Sequence, residues 1–107
     1  MTSKMMEAQQ MTEVQHKGDD KGGLFFIEKE EREIAALSYV FAGDDKFIIE
    51  YTEVHPSYGG MGIGKKLVQT AVDFARKHNY KIIPLCPYAK TVFAKTAEYQ
   101  DLLYQKN

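Results

Sequence analysis

The hydrophobic positions of this 107-residue chain change their period about halfway along it. Up to Val54 they fall in short runs separated by turn residues, which predicts strands. The segment EVQHKGDDKGGLFFIEK, from Glu13 to Lys29, reads as two short strands around a turn made of Asp19, Asp20, Gly22 and Gly23. Glu30, Glu31 and Arg32 form a polar link. EIAALSYVFAG then alternates apolar and small residues and is rich in Tyr, Val and Phe, so it is predicted to be a strand. Gly43-Asp44-Asp45 is a turn, and KFIIEYTEV is the next strand. Connections this short join only antiparallel neighbours, so the runs form a meander.

After Val54-His55-Pro56 the period becomes helical. From Gly62 to His78 the apolar residues Ile63, Leu67, Val68, Ala71, Phe74 and Ala75 recur every three or four positions. Arg76, Lys77 and His78 suit the negative end of a helix, and Asn79 suits a left-handed cap. YKIIPLC is a short apolar strand, expected to lie parallel to the strand before the helix. Pro87 fits a first helical position and opens YAKTVFAKTAEY, with Val92, Phe93 and Thr96 on one face. Leu102, Leu103 and Tyr104 close the core or extend it. The predicted order is β-β-β-β-α-β-α. This is a mixed α/β domain over residues 12–107, preceded by a flexible tail over residues 1–11 that has neither period.

Composition narrows the possible functions. The length suits one core. A formal net charge of −1 gives no basic field for nucleic acid, and no apolar run approaches the ~20 residues of a membrane span. The polar start has no apolar segment of the kind a secretory signal needs, so a cytoplasmic protein is expected. The single cysteine, Cys86, and three scattered histidines predict no metal site.

Against this background one stretch calls for a reason. Tyr58-Gly-Gly-Met-Gly-Ile-Gly-Lys-Lys-Leu67 places four glycines within six positions, directly before a helix. Glycine loses the most backbone freedom on folding, so such a run implies that the backbone itself has a task. A strand, a glycine-rich turn and a helix start make a phosphate site, because unpaired N–H groups and the helix dipole both favour an anion. A dinucleotide turn needs G-x-G-x-x-G, whereas Gly60, Gly62 and Gly64 run G-x-G-x-G with Leu67 in the last place. No acid ends the following strand to hold a ribose. A nucleoside-triphosphate loop fits Gly59, Gly64 and Lys65, but Lys66 replaces the hydroxyl that binds magnesium.

The third candidate is the pyrophosphate of coenzyme A. Val54-His-Pro-Ser-Tyr-Gly-Gly-Met-Gly-Ile-Gly-Lys-Lys-Leu67 resembles the acetyl-CoA loop of the GCN5-related N-acetyltransferases, Val-x-Pro-x-x-Arg/Gln-x-x-Gly-x-Gly/Ala. Val54, Pro56, Gly62 and Gly64 fall in register, and Gly59 stands where Arg or Gln is usual. With IIPLCPYAK and AEYQDLL the resemblance extends over about residues 12–104, to a minimal single-domain branch of that superfamily. It implies a mostly antiparallel sheet with one parallel pair that splays apart to admit the pantetheine arm. Tyr51, Thr52, Glu53 and Val54 would line that arm. Gly59, Gly60, Met61, Gly62, Ile63 and Gly64 would hold the pyrophosphate with Lys65 and Lys66.

The implied chemistry is attack by an amine on the thioester of acetyl-CoA, with no metal. The amine must first lose a proton, and Glu50, Glu53 and His55 are candidate bases on or just after the right strand. Strand alternation sets Glu50 on the opposite face from Glu53. Cys86, before a helix start, reads either as an acyl-accepting thiol or as a small buried hydrophobe. Tyr88 is a candidate acid for the departing CoA thiolate. A chain this short has little left to build an acceptor pocket, so the acceptor is expected to be a large one, such as an amine of another protein, or the site to be completed by a second subunit. The chain itself is expected to be a monomer or weak homodimer. The rival reading is a non-catalytic acyl-CoA-binding or interaction module on the same fold.

Overall fold

The computed structural model describes residues 13–104, so the tail expected over residues 1–11 lies outside the described residues. The elements follow the predicted order: β1 (Gln15–Gly18), β2 (Gly22–Lys29), β3 (Arg32–Phe41), β4 (Lys46–Val54), α1 (Ile63–His78), β5 (Lys81–Pro84) and α2 (Pro87–Lys95). A 3-10 turn, Pro56–Tyr58, precedes α1, and a 3-10 segment, Ala97–Leu102, follows α2. The sheet is ordered β1-β2-β3-β4-β5. The first four strands are an antiparallel meander, and β5 lies parallel to β4.

The polar link between β2 and β3 is a two-residue hairpin turn. Lys29 pairs with Arg32, and Glu30 and Glu31 both take positive φ, 53° and 67°. That is the turn geometry whose twist matches the flanking strands, although it usually recruits Asn or Gly. The last helix is shorter than its pattern suggested. It stops at Lys95, and Thr96, extended at φ −118°, returns its hydroxyl to the Val92 carbonyl at 2.7 Å. The chain then tightens to 3-10 geometry, held by Gln100 Nε2 donating to the Phe93 carbonyl and by a two-point contact of Arg76 with Asp101.

Both helices cover one face of the sheet. Phe25, Ile27, Leu37, Tyr39, Phe47 and Ile49 share one buried cluster with Leu67, Val68 and Val72 of α1 and Ala89, Val92 and Phe93 of α2. The other face carries Phe26, buried beneath the Lys17 ammonium at 5.1 Å, with Ala36 opposite it. No described element covers that face. One-sided burial is the usual condition of an antiparallel meander.

An aromatic stack ties β1 to the core. His16 lies parallel to Phe25 at 4.3 Å between ring centres and meets Phe74 of α1 edge-on at 5.0 Å. Its Nε2 is 2.6 Å from the Tyr39 hydroxyl. Side chains at Gly18 or Gly23 would come within 3 Å of that hydroxyl, so both positions must stay bare. Burial, and next the neighbouring His78, lower the His16 pKa below its ordinary value. Burial, then Tyr80 and Asp19, raise that of Tyr39 and keep its proton in place.

The unfolded chain therefore binds a proton at His16 before the folded one does. This histidine's contribution to stability is complete above the ordinary value of about 6.5 and falls as the pH drops toward its folded value. Urea unfolding at about pH 7.5 and about pH 5.5 checks this. The native protein should lose more stability on acidification than His16→Gln does, and equal losses would contradict the assignment.

Candidate functional site

The site begins where β4 and β5 part. Lys46 to Ile49 pair with Lys81 to Pro84, and there the ladder stops while β4 runs on to Val54. Two local features cause the parting. On β5 the amides of Lys81 and Leu85 face β4, so Pro84 between them faces the other edge, and the chain leaves β4 for α2 directly after Leu85 and Cys86. On β4, Tyr39 pairs with Ile49 but Ser38 pairs with Tyr51, so Glu50 is an inserted bulge residue. Such an insertion bends the strand and increases its twist. The amides of Leu85 and Cys86 both donate to the Ile49 carbonyl, at 3.1 and 3.2 Å, and then the chain turns into α2.

The bulge also corrects the facing predicted for the two glutamates. Simple alternation separates Glu50 from Glu53, but the extra residue shifts the phase. Glu50 accepts a 2.9 Å hydrogen bond from Ser38, on the face away from the helices. Glu53 and Tyr51 pair with Ala36 and Ser38 and turn to that same outer face. Thr52 and Val54 turn inward, opposite Leu37 and Ala35.

Inward of the fork lies a cleft of about 380 Å³. Thr52 and Val54 form one wall, Gly59, Gly60, Gly62, Ile63 and Gly64 its floor, and Tyr58 and Tyr88 its sides. Gly60 and Gly62 have φ of 78° and 76°, in the left-handed region where side chains strain the backbone. Gly62 is the N-cap of α1 and supplies no side-chain acceptor to the first-turn amides. The first four N–H groups of a helix, counted from the cap, have no intrahelical partner, so a capping anion has donors waiting there. Gly59 is extended at φ −66°, and a side chain there would touch only the Pro56 carbonyl at 3.5 Å.

Gly64 has a different reason. A Cβ on it would lie 2.8 Å from the ring tip of Tyr88, the second residue of α2. The starts of α1 and α2 therefore meet through one tyrosine resting on one glycine. Burial, and then Cys86, raise the Tyr88 pKa, so its phenol keeps its proton. Cys86 is buried and caps α2: its Sγ accepts from the Ala89 amide at 3.4 Å and lies 3.6 Å from Thr52 Oγ1 across the fork.

The remaining predicted residues lie around this centre. His55 caps the 3-10 turn, its Nδ1 accepting from the Ser57 amide at 3.1 Å. Met61 is 58% exposed at the loop tip, and Lys65 and Lys66 are exposed on the first turn of α1. None of the three lines the cleft. Tyr58 does line it, with the Lys29 ammonium 5.4 Å from its ring centre. No period or motif marks Tyr58 in the sequence, because its place comes from the turn after Pro56. Among the described residues no group of three or more His, Cys, Asp or Glu converges, and no helix is long and apolar enough to cross a membrane.

The comparisons with known proteins match the family and the fold that carry this fork. The family model described as GCN5-related N-acetyl-transferase covers residues 24–102, and the chain belongs to that family. A GCN5-like protein from Staphylococcus aureus, solved by NMR, is 33% identical over 91% of this chain and 92% of its own, with a TM-score of 0.70. Two further structures share the fold: the ribosomal-protein-S18-alanine N-acetyltransferase of Escherichia coli and the aminoglycoside N-acetyltransferase AAC(6')-Iy in complex with CoA. The first is 13% identical, with 88% of this chain and 70% of that one covered and a TM-score of 0.60. The second is also 13% identical, with 97% and 79% covered and a TM-score of 0.52. No curated protein matches the chain.

The Gly64 contact makes a testable demand. In Gly64→Ala the phenol tip is free to swing outward and alanine favours the helix by about 0.5–1 kcal/mol, so the melting temperature should barely move. Gly62→Ala strains a left-handed residue instead and should cost about 1–2 kcal/mol. Thermal unfolding with NMR of the Tyr88 ring checks both. A large loss in Gly64→Ala, or an unmoved Tyr88, would contradict the contact.

Proposed function

We propose that this protein transfers the acetyl group of acetyl-CoA to an amine and works in the cytoplasm as one domain over residues 12–107. The parted strands carry the reading. Beyond Ile49 the edge of β4 has no partner from β5, and a pantetheine arm with its two amides is the kind of chain that can hydrogen-bond such an edge. The amides from Gly62 to Lys65 would take the pyrophosphate, and Lys65 or Lys66 would add charge. Thr52, Val54 and Tyr88 would surround the thioester end.

In this reading Glu53, on the outer face, takes the proton from the incoming ammonium, directly or through a water. The neutral amine attacks the thioester carbon, the tetrahedral intermediate collapses, and the sulfur of CoA leaves as a thiolate. Tyr88 holds the proton that the thiolate needs. Glu50 is engaged by Ser38 and His55 by the Ser57 amide, so Glu53 has the lightest prior commitment of the three candidate bases. Cys86 offers a second route, in which its sulfur accepts the acetyl group, CoA leaves as the thiol, and the amine then attacks the new thioester. Its burial and its capping bond favour the simpler role of positioning α2 against Thr52.

A non-catalytic acyl-CoA-binding module is the second reading, and one observation favours it: none of the candidate bases is buried. At 100 times its dissociation constant a ligand adds about 2.7 kcal/mol, enough to raise melting by about 10 °C or more in a domain this size. Acetyl-CoA and CoA should each produce that rise, and ATP with magnesium or NAD should not. Glu53→Gln should keep the rise and lose about 100-fold or more in transfer to an amine. A rise without any transfer would select the binding module, and no rise would remove both readings.

Gly59 gives an independent test of the donor cleft. Its extended backbone and open surroundings can accommodate a side chain. Gly59→Gln, which restores a residue usual in the loop, should leave stability unchanged within about 0.5 kcal/mol and tighten CoA binding about two- to five-fold. Calorimetric titration with CoA measures it, and weaker binding would count against this placement of the pyrophosphate.

A further inference from the structure

Between the 3-10 turn and the start of α1 the donor loop is a bare span. Gly59, Gly60 and Gly62 have no side chain, and Met61 between them is 58% exposed. A Cβ on Gly60 or Gly62 would meet nothing within 4 Å, so no neighbour steadies the span there. Its position is set by the residues at its two ends, Tyr58 and Ile63. Ile63 is buried in the core. Tyr58 is half-buried and packs against the same cluster.

Tyr58 has a second hold, which comes from the β2–β3 hairpin. Phe25 and Ile27 of β2 lie on the helix side of the sheet, and alternation puts Lys29 on that side too. Lys29 is half-buried, with its ammonium 5.4 Å from the centre of the Tyr58 ring. The ion pairs among the described residues are Lys46–Asp45 and Arg76–Asp101, so no carboxylate holds this ammonium away from the ring. Two other lysines lie over rings, Lys17 on Phe26 and Lys46 on Tyr104, but neither of those rings lines the donor cleft.

The hairpin is itself firmly set. Its two-residue turn, Glu30 and Glu31 at positive φ, leaves Lys29 no slack beside Arg32. Ile27 pairs with Ala35 and Glu28 with Glu33, so Ile34 is an inserted residue of β3. The Ile34 carbonyl accepts from the His55 amide at 2.7 Å, where the chain leaves β4 for the turn that carries Tyr58. The hairpin therefore grips that turn at both ends, through the backbone at His55 and through a cation at Tyr58.

Resting on the acetyl-CoA reading of the cleft, we propose that Lys29 is a positioning residue of the donor site. By holding the Tyr58 ring it fixes the first end of the glycine span, and with it the amides that meet the pyrophosphate. It acts through Tyr58 and not on the phosphates. A span with three glycines has much backbone freedom to lose when an anion binds, and a fixed end lowers that cost in advance.

The test uses the whole protein with CoA and with pantetheine, which has the arm and lacks the pyrophosphate. Calorimetry measures CoA binding, and NMR shifts of the Thr52 and Val54 amides at high concentration measure pantetheine. Lys29→Met should weaken CoA binding about three- to five-fold and leave pantetheine binding unchanged. Lys29→Arg should bind CoA as the native protein does, because a guanidinium keeps its attraction to the ring. Tyr58→Leu should weaken CoA binding as well, and adding Lys29→Met to it should cost nothing more. Unchanged CoA binding in Lys29→Met, or an equal loss for CoA and pantetheine, would overturn the proposal. A full further loss in the double variant would overturn it too, since the ammonium would then act on the phosphates directly. Failure of the native protein to bind CoA would remove the acetyl-CoA reading instead, a result that no variant is needed to see.

Discussion

The structure depends on one interruption of hydrogen bonding. A parallel strand pair that continued past Ile49 would satisfy its own backbone and leave nothing to offer a ligand. The amides of Leu85 and Cys86 converge on the one carbonyl of Ile49 as the chain turns into α2, and the bulge at Glu50 turns β4 away, so the ladder ends after four paired positions. The Cys86 cap, the Thr52 hydroxyl facing it, and the cleft lined by Thr52 and Val54 all lie at that parting.

The fork must be kept open against collapse of its apolar walls, and the helices do this. Leu67, Val68 and Val72 seat α1 on the sheet, while Ala89, Val92 and Phe93 seat α2. Their N-termini meet at Gly64 and Tyr88, which brings the positive ends of two helix dipoles to one mouth. The glycines of the loop are thus not interchangeable. Gly60 and Gly62 answer to backbone angle, Gly64 to the space Tyr88 occupies, and Gly59 to neither. The phenol that forms one side of the cleft also rests on the first turn of α1.

Much of this was legible in the chain because it is local. Alternation and turn residues predict the meander, the three-and-four spacing from Ile63 to Ala75 predicts α1, and the register of Val54, Pro56, Gly62 and Gly64 points to the family. Val72 is buried on α1 although the predicted apolar face did not include it, since that face is wider than the narrowest stripe. Thr96 continues the helical period, yet α2 stops before it. Its hydroxyl turns back to the Val92 carbonyl while Gln100 takes the carbonyl of Phe93, contacts that no period displays.

What the sequence by itself determined is therefore the order of elements, their period and the place of the glycine-rich turn before α1, because each is set by residues close together in the chain. The tertiary structure alone decided which faces those residues share. A single inserted residue at Glu50 brings it to the face of Glu53, and only the pairing with Ser38 and Tyr39 reveals the insertion. Likewise Gly64 and Tyr88, or Thr52 and Cys86, are far apart in sequence and meet only when α1 carries the chain from β4 to β5. Side-chain facing changes with every one-residue slip, so it is settled by strand pairing and not by composition.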